Sequence, residues 1–452
     1  MRLRKTITTI VATAILLAGW QLFAVIANQP ELIPSLPRLV RTLCEWLVSG
    51  SFYQSVGATI LRGILGMSIS FVCAIGMAGL FARFEWVYEL FRPLLAIMRS
   101  IPVISFILLA LIFLNPESIP LMIAFLTMFP LLTENLTRGI LDLRPGLSIM
   151  ARQFHIRRSN VLFQIIYPQL KPFLYSGLAS AAGFGWRAII MGEVLSQCAF
   201  GIGSEMKRAQ NFISVPELLA WTIVAVFISF FFDKGISKVA DITPKISFAN
   251  EDQTIPTPTL SVLDTKDISY QYGIQHFSHS FQKGIIYGIS APSGKGKTTL
   301  LNLIGGILLP TEGEIHPTRH FGIATIFQQP QLLPHLTAEE NIILPLSSFL
   351  TEEKARRIAQ KHLQEMEMEP FGNRYPKELS YGQQQRIAIA RALASPSPLL
   401  LMDEPFKGLD EALSHRIIER IREKQMKEER IILFTSHNPD EIRLLADEVI
   451  YL

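Results

Sequence analysis

Apolar residues form long runs in the first half of the chain, whereas the second half alternates short apolar runs with amphipathic stretches. About 20 consecutive apolar residues are needed to cross a bilayer as a helix. Six runs suggest such helices, near residues 6–27, 60–82, 101–114, 119–136, 173–195 and 216–232. The third run is short and could extend back over residues 90–98. We therefore predict an all-α membrane domain in residues 1–241.

The charges support this division of the chain. Residues 1–250 carry 21 Lys and Arg against 12 Asp and Glu, whereas residues 251–452 carry 21 against 26. The basic residues concentrate in every second loop between the apolar runs, which by the positive-inside rule places those loops and the N-terminus in the cytoplasm. They do not cluster with aromatic residues, so we expect no nucleic-acid partner. The three cysteines show no C-x-x-C spacing, and neither a disulfide framework nor a zinc site is expected.

The composition changes after the sixth run. Residues 242–258 contain Pro, Thr and charged residues without an apolar period, which predicts a linker. From residue 259 the pattern is that of an α/β domain, with strands and helices in alternation. The predicted fold is therefore a six-helix transmembrane domain (residues 1–241) followed by a soluble α/β domain (residues 259–452).

A phosphate-binding loop is predicted at the start of the α/β domain, in the stretch SAPSGKGKTT (residues 290–299). It follows an apolar, strand-like run and precedes a helical pattern, and it departs from G-x-x-x-x-G-K-[ST] only at Ala291. Lys297 would reach the β- and γ-phosphates, and the Thr298 hydroxyl would bind Mg²⁺. The predicted ATP-binding residues of this loop are Ala291, Pro292, Ser293, Gly294, Lys295, Gly296, Lys297, Thr298 and Thr299.

Two acidic residues, Asp403 and Glu404, end the apolar run Leu399–Met402. Buried charge is costly unless it is paired, so carboxylates at the end of a buried strand need a reason. Asp403 could hold Mg²⁺ and Glu404 could deprotonate the attacking water. The alternative is that both acids are simply solvated at the end of the strand. The presence of the phosphate loop in the same domain argues against this alternative.

The stretch LSYGQQQR (residues 379–386) resembles the signature motif of ATP-binding-cassette (ABC) ATPases, usually LSGGQ-QR. Gln328 then resembles the Q-loop glutamine, Asp410 the D-loop aspartate and His437 the switch histidine. Tyr272 stands where the family places an aromatic residue that stacks on adenine, with Tyr270 as the alternative. The resemblance covers residues 260–452, and it identifies the predicted fold of this half as an ABC ATPase domain.

This resemblance implies ATP as the substrate and Mg²⁺ as the cofactor. It implies catalytic roles for Glu404, His437 and Gln328, and a Mg²⁺ site formed by Thr298, Gln328 and Asp403. The signature residues would cover the nucleotide bound to a second subunit; they are Ser380, Tyr381, Gly382 and Gln383. Hydrolysis would then require a dimer. Tyr381 departs from the family, because it replaces the first glycine of the signature.

A loop between the fourth and fifth runs, residues 147–168, resembles the cytoplasmic EAA loop that couples importer permeases to their ATPases. Ala151, Ile165 and Pro168 fit the pattern E-A-A-x-x-x-G-x9-I-x-L-P, whereas Ile149, Met150 and His155 depart from it. His155 stands where the pattern has glycine. The alternative interpretation is an ordinary basic loop.

Three further stretches, residues 99–102, 129–132 and 185–186 with Glu193, resemble the permeases of nitrate, sulfonate, taurine and thiamine-precursor importers. This resemblance implies a type I importer-like permease fused to its ATPase in the cytoplasmic (inner) membrane. The chain would act as a homodimer with an extracytoplasmic substrate-binding protein to import a small polar or anionic solute. A half-size exporter, or another ATP-driven membrane complex, is the alternative.

Charged residues within a membrane span are functional candidates by default. Arg187 and Glu193 lie in the fifth run and are candidates for the substrate path. Arg187 could attract an anion, pair with Glu134 or lie near the membrane interface. The transported solute cannot be read from this chain, because the resemblance places specificity mostly in the binding protein.

Overall fold

A computed structural model describes residues 2–240, 244–252, 260–271, 273–292, 294–317 and 322–452. The chain divides into two compact units. The first unit comprises residues 1–143 and 169–243, and the second comprises residues 144–168 and 244–452. The predicted coupling loop therefore belongs to the second unit. The helical first part and the α/β second part confirm the predicted fold class.

Eleven helices precede residue 241 in the part of the chain that the structure describes. In chain order they are α1 (Arg2–Ala27), α2 (Leu36–Trp46), α3 (Gly50–Arg83), α4 (Glu85–Ser100), α5 (Val103–Phe113), α6 (Ile119–Leu141), α7 (Pro145–Gln153), α8 (Arg158–Asn160), α9 (Tyr167–Ser196), α10 (Ile202–Asn211) and α11 (Val215–Ala240). A π-helical turn, Val161–Ile166, joins α8 to α9.

Four helical segments among the described residues are long and apolar enough to cross a membrane: Gly50–Arg83, Pro116–Leu141, Arg158–Ser196 and Val215–Ala240. Helices α4 and α5 pass the same test only as a pair, and they are bent by 94° at their junction. The sequence predicts residues 101–114 as a span of their own, whereas α5 in the structure passes the test only together with α4. Alone, the 11 residues of α5 extend only about 16 Å. The apolar part of α1, Val11–Ala27, is shorter than the other candidates, and the count of six spans stays a prediction.

Helices α3 and α6 pack closely through small residues. The buried face of α3 includes Gly63, Gly66, Ala74 and Ala78 at intervals of three, four or eight residues. A Cβ added to Gly66 would lie 2.6 Å from the Cβ of Ala124 on α6, which is closer than two carbon atoms can approach. Small residues that let helix backbones approach are the usual means of association between membrane helices, where water supplies no hydrophobic driving force.

Glu193 is fully buried in the first unit, and its carboxylate has several donors. The Arg62 guanidinium donates to it at 2.7 Å, the Thr59 hydroxyl at 2.9 Å and the backbone N–H of Gly203 at 2.9 Å. Arg62 also forms an ion pair with Glu117. A buried carboxylate satisfied in this way ties α3, α9 and α10 together. Glu193 is thus held by contacts within the first unit, and its place in a substrate path stays a prediction.

Arg187 has a different environment. Its side chain is exposed and lines a cavity of about 540 Å³ within the first unit, together with Trp186 and Asp233. The carboxylate of Glu134 instead accepts hydrogen bonds from Arg99 and Arg138. The suggested pairing of Arg187 with Glu134 is thus wrong.

The second unit contains two sheets. In chain order its elements from residue 262 are β1 (Val262–Tyr270), β2 (Ile274–Gln282), β3 (Ile286–Ser290), α12 (Lys297–Ile304), β4 (Glu312–His316), β5 (Ile323–Ile326), α13 (Ala338–Leu346), α14 (Glu352–Glu365), α15 (Tyr381–Ala394), β6 (Leu399–Asp403), α16 (Glu411–Glu428), β7 (Ile431–Thr435), α17 (Pro439–Leu445) and β8 (Glu448–Tyr451). Strands β2-β1-β4 form an antiparallel sheet, and β5-β6-β7-β3-β8 form a parallel one.

The parallel sheet follows directly from the sequence of three neighbouring strands, β5, β6 and β7. Residues Ile323–Ile326, Leu399–Asp403 and Ile431–Thr435 are buried at every position. Strands of a parallel sheet are covered on both faces, so they read as continuous apolar runs rather than as alternating patterns. Asp403 is the one charged residue of these three strands.

The coupling segment (residues 144–168) packs on the apolar core of the second unit. Leu147, Met150, Ala151, Phe154 and Ile165 are all buried in the same cluster as residues of β5 and α15. The amide of Gln153 also donates to the carbonyl of Gly305 at the end of α12, at 2.7 Å. Of the predicted coupling residues, Ala151 and Ile165 are therefore buried contacts. Pro168 is half-buried, and the His155 side chain is exposed.

The end of α7 explains why the EAA pattern has glycine at the position of His155. His155 has a φ of 51°, in the left-handed region that glycine adopts most easily. The N–H of Ile156 bonds to the carbonyl of Ala151, and the N–H of His155 bonds to that of Arg152. These are the two bonds of a Schellman motif. The chain keeps the backbone conformation of the pattern without its glycine.

Candidate active site

Three functional loops meet at one edge of the parallel sheet. Strands β6, β7 and β3 are adjacent in the order of the sheet. The phosphate loop follows β3, the pair Asp403-Glu404 ends β6, and His437 follows β7. Because the carboxyl ends of parallel strands lie at the same edge, residues far apart in sequence are brought together there.

The phosphate loop has the backbone conformation that its glycines permit. Gly294 and Gly296 have φ values of 82° and 93°, so both positions favour glycine. Ala291 lies outside the left-handed region, so its Cβ causes no backbone strain. Its carbonyl accepts a hydrogen bond from the Lys297 ammonium at 2.7 Å. The departure from the loop pattern at Ala291 therefore leaves the loop conformation intact.

Asp403 lies between two threonine hydroxyls. Thr298 donates to one of its carboxylate oxygens at 2.9 Å, and Thr435 donates to the other at 2.8 Å. Burial raises the pKa of Asp403, opposed by these hydrogen bonds. Carboxylate and hydroxyl oxygens are the ligands that Mg²⁺ prefers. The adjacent Thr298 and Asp403 thus suit a Mg²⁺ ion.

Glu404 interacts with both of the other predicted catalytic residues, His437 and Gln328. Its carboxylate lies 2.9 Å from Nε2 of His437 and 3.3 Å from Nζ of Lys407. Burial favours the protonated form, but hydrogen bonds from Lys407 and Gln328 and the charges of Lys407 and His437 outweigh it, so the pKa of Glu404 is lowered. Glu404 also has a φ of 48°, and its N–H donates to the Thr435 hydroxyl. Its carboxylate is therefore ionised and fixed at the edge of the sheet.

The signature residues begin helix α15. Ser380 is its N-cap: its hydroxyl accepts from the N–H of Gln383, whose side chain in turn accepts from the N–H of Ser380. This reciprocal capping box stabilises the first turn. A Cβ added to Gly382 would lie 2.5 Å from the carbonyl oxygen of Gly408, so the turn rests against the D-loop.

Tyr381 contacts two other motifs of its own chain. Its hydroxyl donates to the carbonyl of Gln328 at 2.7 Å. A Cβ added to Gly408 would lie 2.7 Å from the Tyr381 ring, so the ring packs directly on this glycine. The side chain that replaces the signature glycine therefore joins the signature, the Q-loop and the D-loop.

The remaining predicted residues are placed as follows. Asp410 is the N-cap of α16 and accepts from the N–H of Leu413 at 2.9 Å. Tyr272 and Ser293 lie outside the described residues, and Tyr270, the alternative for stacking on adenine, ends β1 and is half-buried. Lys295 is exposed, as is Pro292, and Thr299 is half-buried in the first turn of α12.

Arg391 is a residue of this region that the sequence reasoning missed. It is fully buried in α15, and burial lowers its pKa to about 10. Its guanidinium donates to the carbonyls of Pro330 and Gln331 at 2.9 and 2.8 Å and lies 5.3 Å from the ring centre of Phe154 in the coupling segment. Arg391 thus connects the Q-loop with the coupling segment. An arginine within the apolar run RIAIARALA (residues 386–394) was the available signal.

Two family models match separate parts of the chain. One, described as "ABC transporter", matches residues 274–407. The other, described as "Binding-protein-dependent transport system inner membrane component", matches residues 56–233. The two matches fall on the two halves that the composition separates.

Curated relatives match the ATPase half. An uncharacterized ABC transporter ATP-binding protein of Methanocaldococcus jannaschii is 34% identical over 201 residues, which are 40% of this chain and 85% of the relative. The thiamine import ATP-binding protein ThiQ of Yersinia pseudotuberculosis is 34% identical over 205 residues, which are 42% of this chain and 86% of the relative. The chain belongs to the ABC transporter family. Its C-terminal half is an ABC-type ATPase domain, joined to a permease domain of the importer-type membrane component.

Other members of the ABC transporter family are matched over a smaller part of their length. The Fe(3+) ions import ATP-binding protein FbpC of Rhizobium etli is 35% identical over 189 residues, which are 40% of this chain and 54% of the relative. The chain thus spans about half the length of this relative.

Proposed function

We propose that this ABC transporter chain is one half of an ATP-driven importer for a small polar or anionic solute. The observation that carries the proposal is the fusion: a domain matching a binding-protein-dependent membrane component precedes an ABC ATPase domain in one chain. The names of the relatives FbpC and ThiQ, which refer to import, also support it. The resemblance of residues 99–102, 129–132 and 185–186 favours the nitrate, sulfonate, taurine and thiamine-precursor group.

In this proposal Glu404 is the general base of ATP hydrolysis. Its ionised carboxylate can accept a proton from the attacking water, which general bases do for a gain of about 10²–10⁴-fold in rate. His437, which contacts Glu404, stabilises the reacting geometry, and Gln328 helps to position the carboxylate. The charges around Glu404 keep it ionised at neutral pH.

The phosphate loop and Asp403 bind the substrate and its metal. Gly294 and Gly296 present backbone N–H groups to the phosphates, and Lys297 binds the β- and γ-phosphates. Thr298 and Asp403, with Gln328, would hold Mg²⁺, which when bound would offset negative charge on the phosphate oxygens.

A second copy of the chain completes the transporter. Ser380 and Gly382 at the N-terminus of α15 cover the nucleotide of the partner, so two ATPase domains and two permease domains form a two-fold assembly. An extracytoplasmic binding protein delivers the solute, in agreement with the description of the permease family. The chain lies in the cytoplasmic membrane with its N-terminus and ATPase domain in the cytoplasm.

Arg187 is our candidate for contact with the solute. It is exposed in a cavity of the permease domain, and a guanidinium there would attract an anion. Glu193 is assigned instead to the buried contacts with Arg62 and Thr59.

The assignment of the base is tested with Glu404→Gln in the purified full chain. We expect ATP hydrolysis to fall by roughly 10²-fold or more while ATP binding is retained, because the amide cannot accept the proton. Glu423→Gln, an exposed substitution of the same kind, is the control and should hydrolyse ATP normally. Undiminished hydrolysis by Glu404→Gln would show that another group is the base.

The direction of transport is tested separately. The proposal requires that a solute-loaded binding protein stimulate hydrolysis by the chain in proteoliposomes. Stimulation by a lipid-soluble compound without any binding protein would contradict import and favour export.

A further inference from the structure

Residues 244–252, which we call the strap, lie against the coupling segment within the second unit. They belong to the stretch whose composition predicts a linker. The amide of Asn160 forms a reciprocal pair with Ser247: its Nδ2 donates to the Ser247 carbonyl at 2.8 Å, and its Oδ1 accepts from the Ser247 N–H at 2.9 Å. Asn160 is 1% exposed, so this pair is removed from water.

Two more side chains of the coupling segment bind the backbone of the strap. Gln164 donates to the carbonyl of Pro244 at 3.0 Å, and the guanidinium of Arg157 donates to the carbonyl of Phe248 at 3.1 Å. The coupling segment therefore contacts the strap near both ends of a five-residue stretch and in its middle.

The strap is also bound to the ATPase domain. The N–H of Ala249 donates to the carbonyl of Ser347 at 3.0 Å. The residue Ala249 as a whole is 5% exposed. Asp252 accepts from the N–H and the hydroxyl of Thr351 at 2.9 and 3.0 Å. The side chains of Ile246 and Phe248 pack against the apolar cluster of the second unit. The strap thus lies between the coupling segment and the residues after α13.

Ser347 and Ser348 close this arrangement from the ATPase side. Asn160 donates to the hydroxyl of Ser347 at 2.8 Å, and the N–H of Arg157 donates to the hydroxyl of Ser348 at 2.9 Å. If the pair with Ser247 were broken with the strap in place, Asn160 would keep only this one bond and its buried oxygen would have no protein partner. A buried polar group without a partner loses its hydration and gains nothing in return. The hydrogen bonds of Asn160 in the coupling segment are therefore complete only when the strap is in place.

We propose that the strap clamps the coupling segment onto the ATPase domain of the same chain, so that the segment and the domain move as one body during the ATP cycle. The proposal rests on the proposed function, in which the coupling segment transmits motion to the permease. Covalent continuity favours this contact, because a tethered partner is present at a high effective concentration.

The clamp is tested by hydrogen exchange in the purified full chain, comparing Ser247→Pro with Ser247→Ala. Proline removes the N–H that donates to Asn160. Alanine removes only the side-chain hydroxyl and keeps the backbone N–H and carbonyl that bond to Asn160. We expect amides of residues 145–165 to exchange on the order of tenfold faster in Ser247→Pro, and as in the wild type in Ser247→Ala. Unchanged exchange in Ser247→Pro would overturn the proposal.

Asn160→Ala is the second variant, since it removes the other half of the pair. It should also accelerate exchange in residues 145–165. Exchange in α12 and the rate of ATP hydrolysis in detergent should stay within about twofold of the wild type, because the hydrogen bonds of Asn160 are to Ser247 and Ser347, which belong to none of the nucleotide-binding motifs. Loss of hydrolysis would overturn the assignment of the strap to coupling. This readout does not depend on the solute or on the direction of transport, so it can fail while import holds, and the reverse.

A third hydrogen-exchange experiment tests whether the clamp persists through the ATP cycle. In Glu404→Gln with ATP and Mg²⁺, the amides of Ser247 and Ala249 should stay as protected as they are without nucleotide. A marked loss of protection would show that the strap releases the segment and would contradict movement as one body.

Discussion

Tyr381 is a single residue whose departure from the signature pattern acquires a reason from its contacts. Its hydroxyl holds the backbone of Gln328, and the side chain of Gln328 in turn contributes to the low pKa of Glu404. Its ring rests on Gly408, which offers no side chain at that point. Tyr381 and Gly408 thus fit one another, and a larger residue at either position requires a change at the other.

We predict that Tyr381→Phe lowers kcat for ATP hydrolysis several-fold, because it removes one hydrogen bond worth about 1 kcal/mol that positions the Q-loop. KM for ATP should change little, since the lost bond joins two parts of the protein and touches no nucleotide. Steady-state kinetics of the full chain measure both constants. Wild-type kinetics in Tyr381→Phe would show that the hydroxyl has no positioning role.

Single residues also show what the sequence can predict. Lys297, Thr298, Asp403 and Glu404 are predicted from the chemistry of their motifs and His437 from the family resemblance, and the order of the strands brings them to one edge of the sheet. Their roles stay predictions. The sequence could not predict that Glu193 would be satisfied by Arg62, because a contact between residues 131 apart leaves no local pattern.

At the scale of elements, the end of α7 keeps a left-handed backbone conformation that favours glycine, although residue 155 is a histidine. The Schellman bonds of Ile156 and His155 require a left-handed residue at position 155, and the apolar contacts of Ala151 and Phe154 hold the helix end in place. Packing therefore compensates for the conformational cost of a side chain at φ 51°.

We predict that His155→Gly preserves or slightly raises the local stability of the coupling segment, whereas His155→Val lowers it by about 1–2 kcal/mol. Glycine adopts left-handed φ without steric cost, and a β-branched residue is the least suited to it. Hydrogen exchange of the amides of residues 145–156 reports this local stability. Equal exchange in the two variants would contradict the conformational argument.

Strands and helices of the second unit were the easier elements to predict. The apolar run Leu399–Met402 coincides with β6 to within one residue, because burial on both faces leaves a clear pattern. The bend between α4 and α5 was harder to predict, since only Arg99 and Ser100 separate the apolar residues 94–98 from the run that begins at residue 101. Pro102 was the available signal, because proline disfavours helix at the residue before it. The strap was not predictable, since its bonds are mostly to backbone groups, which any sequence carries.

At the scale of the whole molecule, the fusion of a permease domain to an ATPase domain fixes the ratio of the two domains in any assembly of this chain. One chain contains one permease domain and one ATPase domain, so each copy brings both in a fixed ratio. If the signature of one copy covers the nucleotide of the other, each of the two sites combines Lys297 and Glu404 of one chain with Ser380 of its partner. A chain alone then has all the motifs but no complete site.

This arrangement predicts that two inactive variants restore activity when they assemble together. Lys297→Ala removes the phosphate lysine, and Ser380→Arg blocks the signature, so each variant alone should hydrolyse no ATP. A mixed dimer contains one damaged pair and one intact pair of Lys297 and Ser380. The isolated mixed dimer should therefore recover about half of the wild-type rate, if the two sites turn over independently. Co-expression with two affinity tags isolates the mixed dimer, and mixing the separately purified variants in detergent without subunit exchange is the control. No recovery in the isolated mixed dimer would mean that each chain completes its own site.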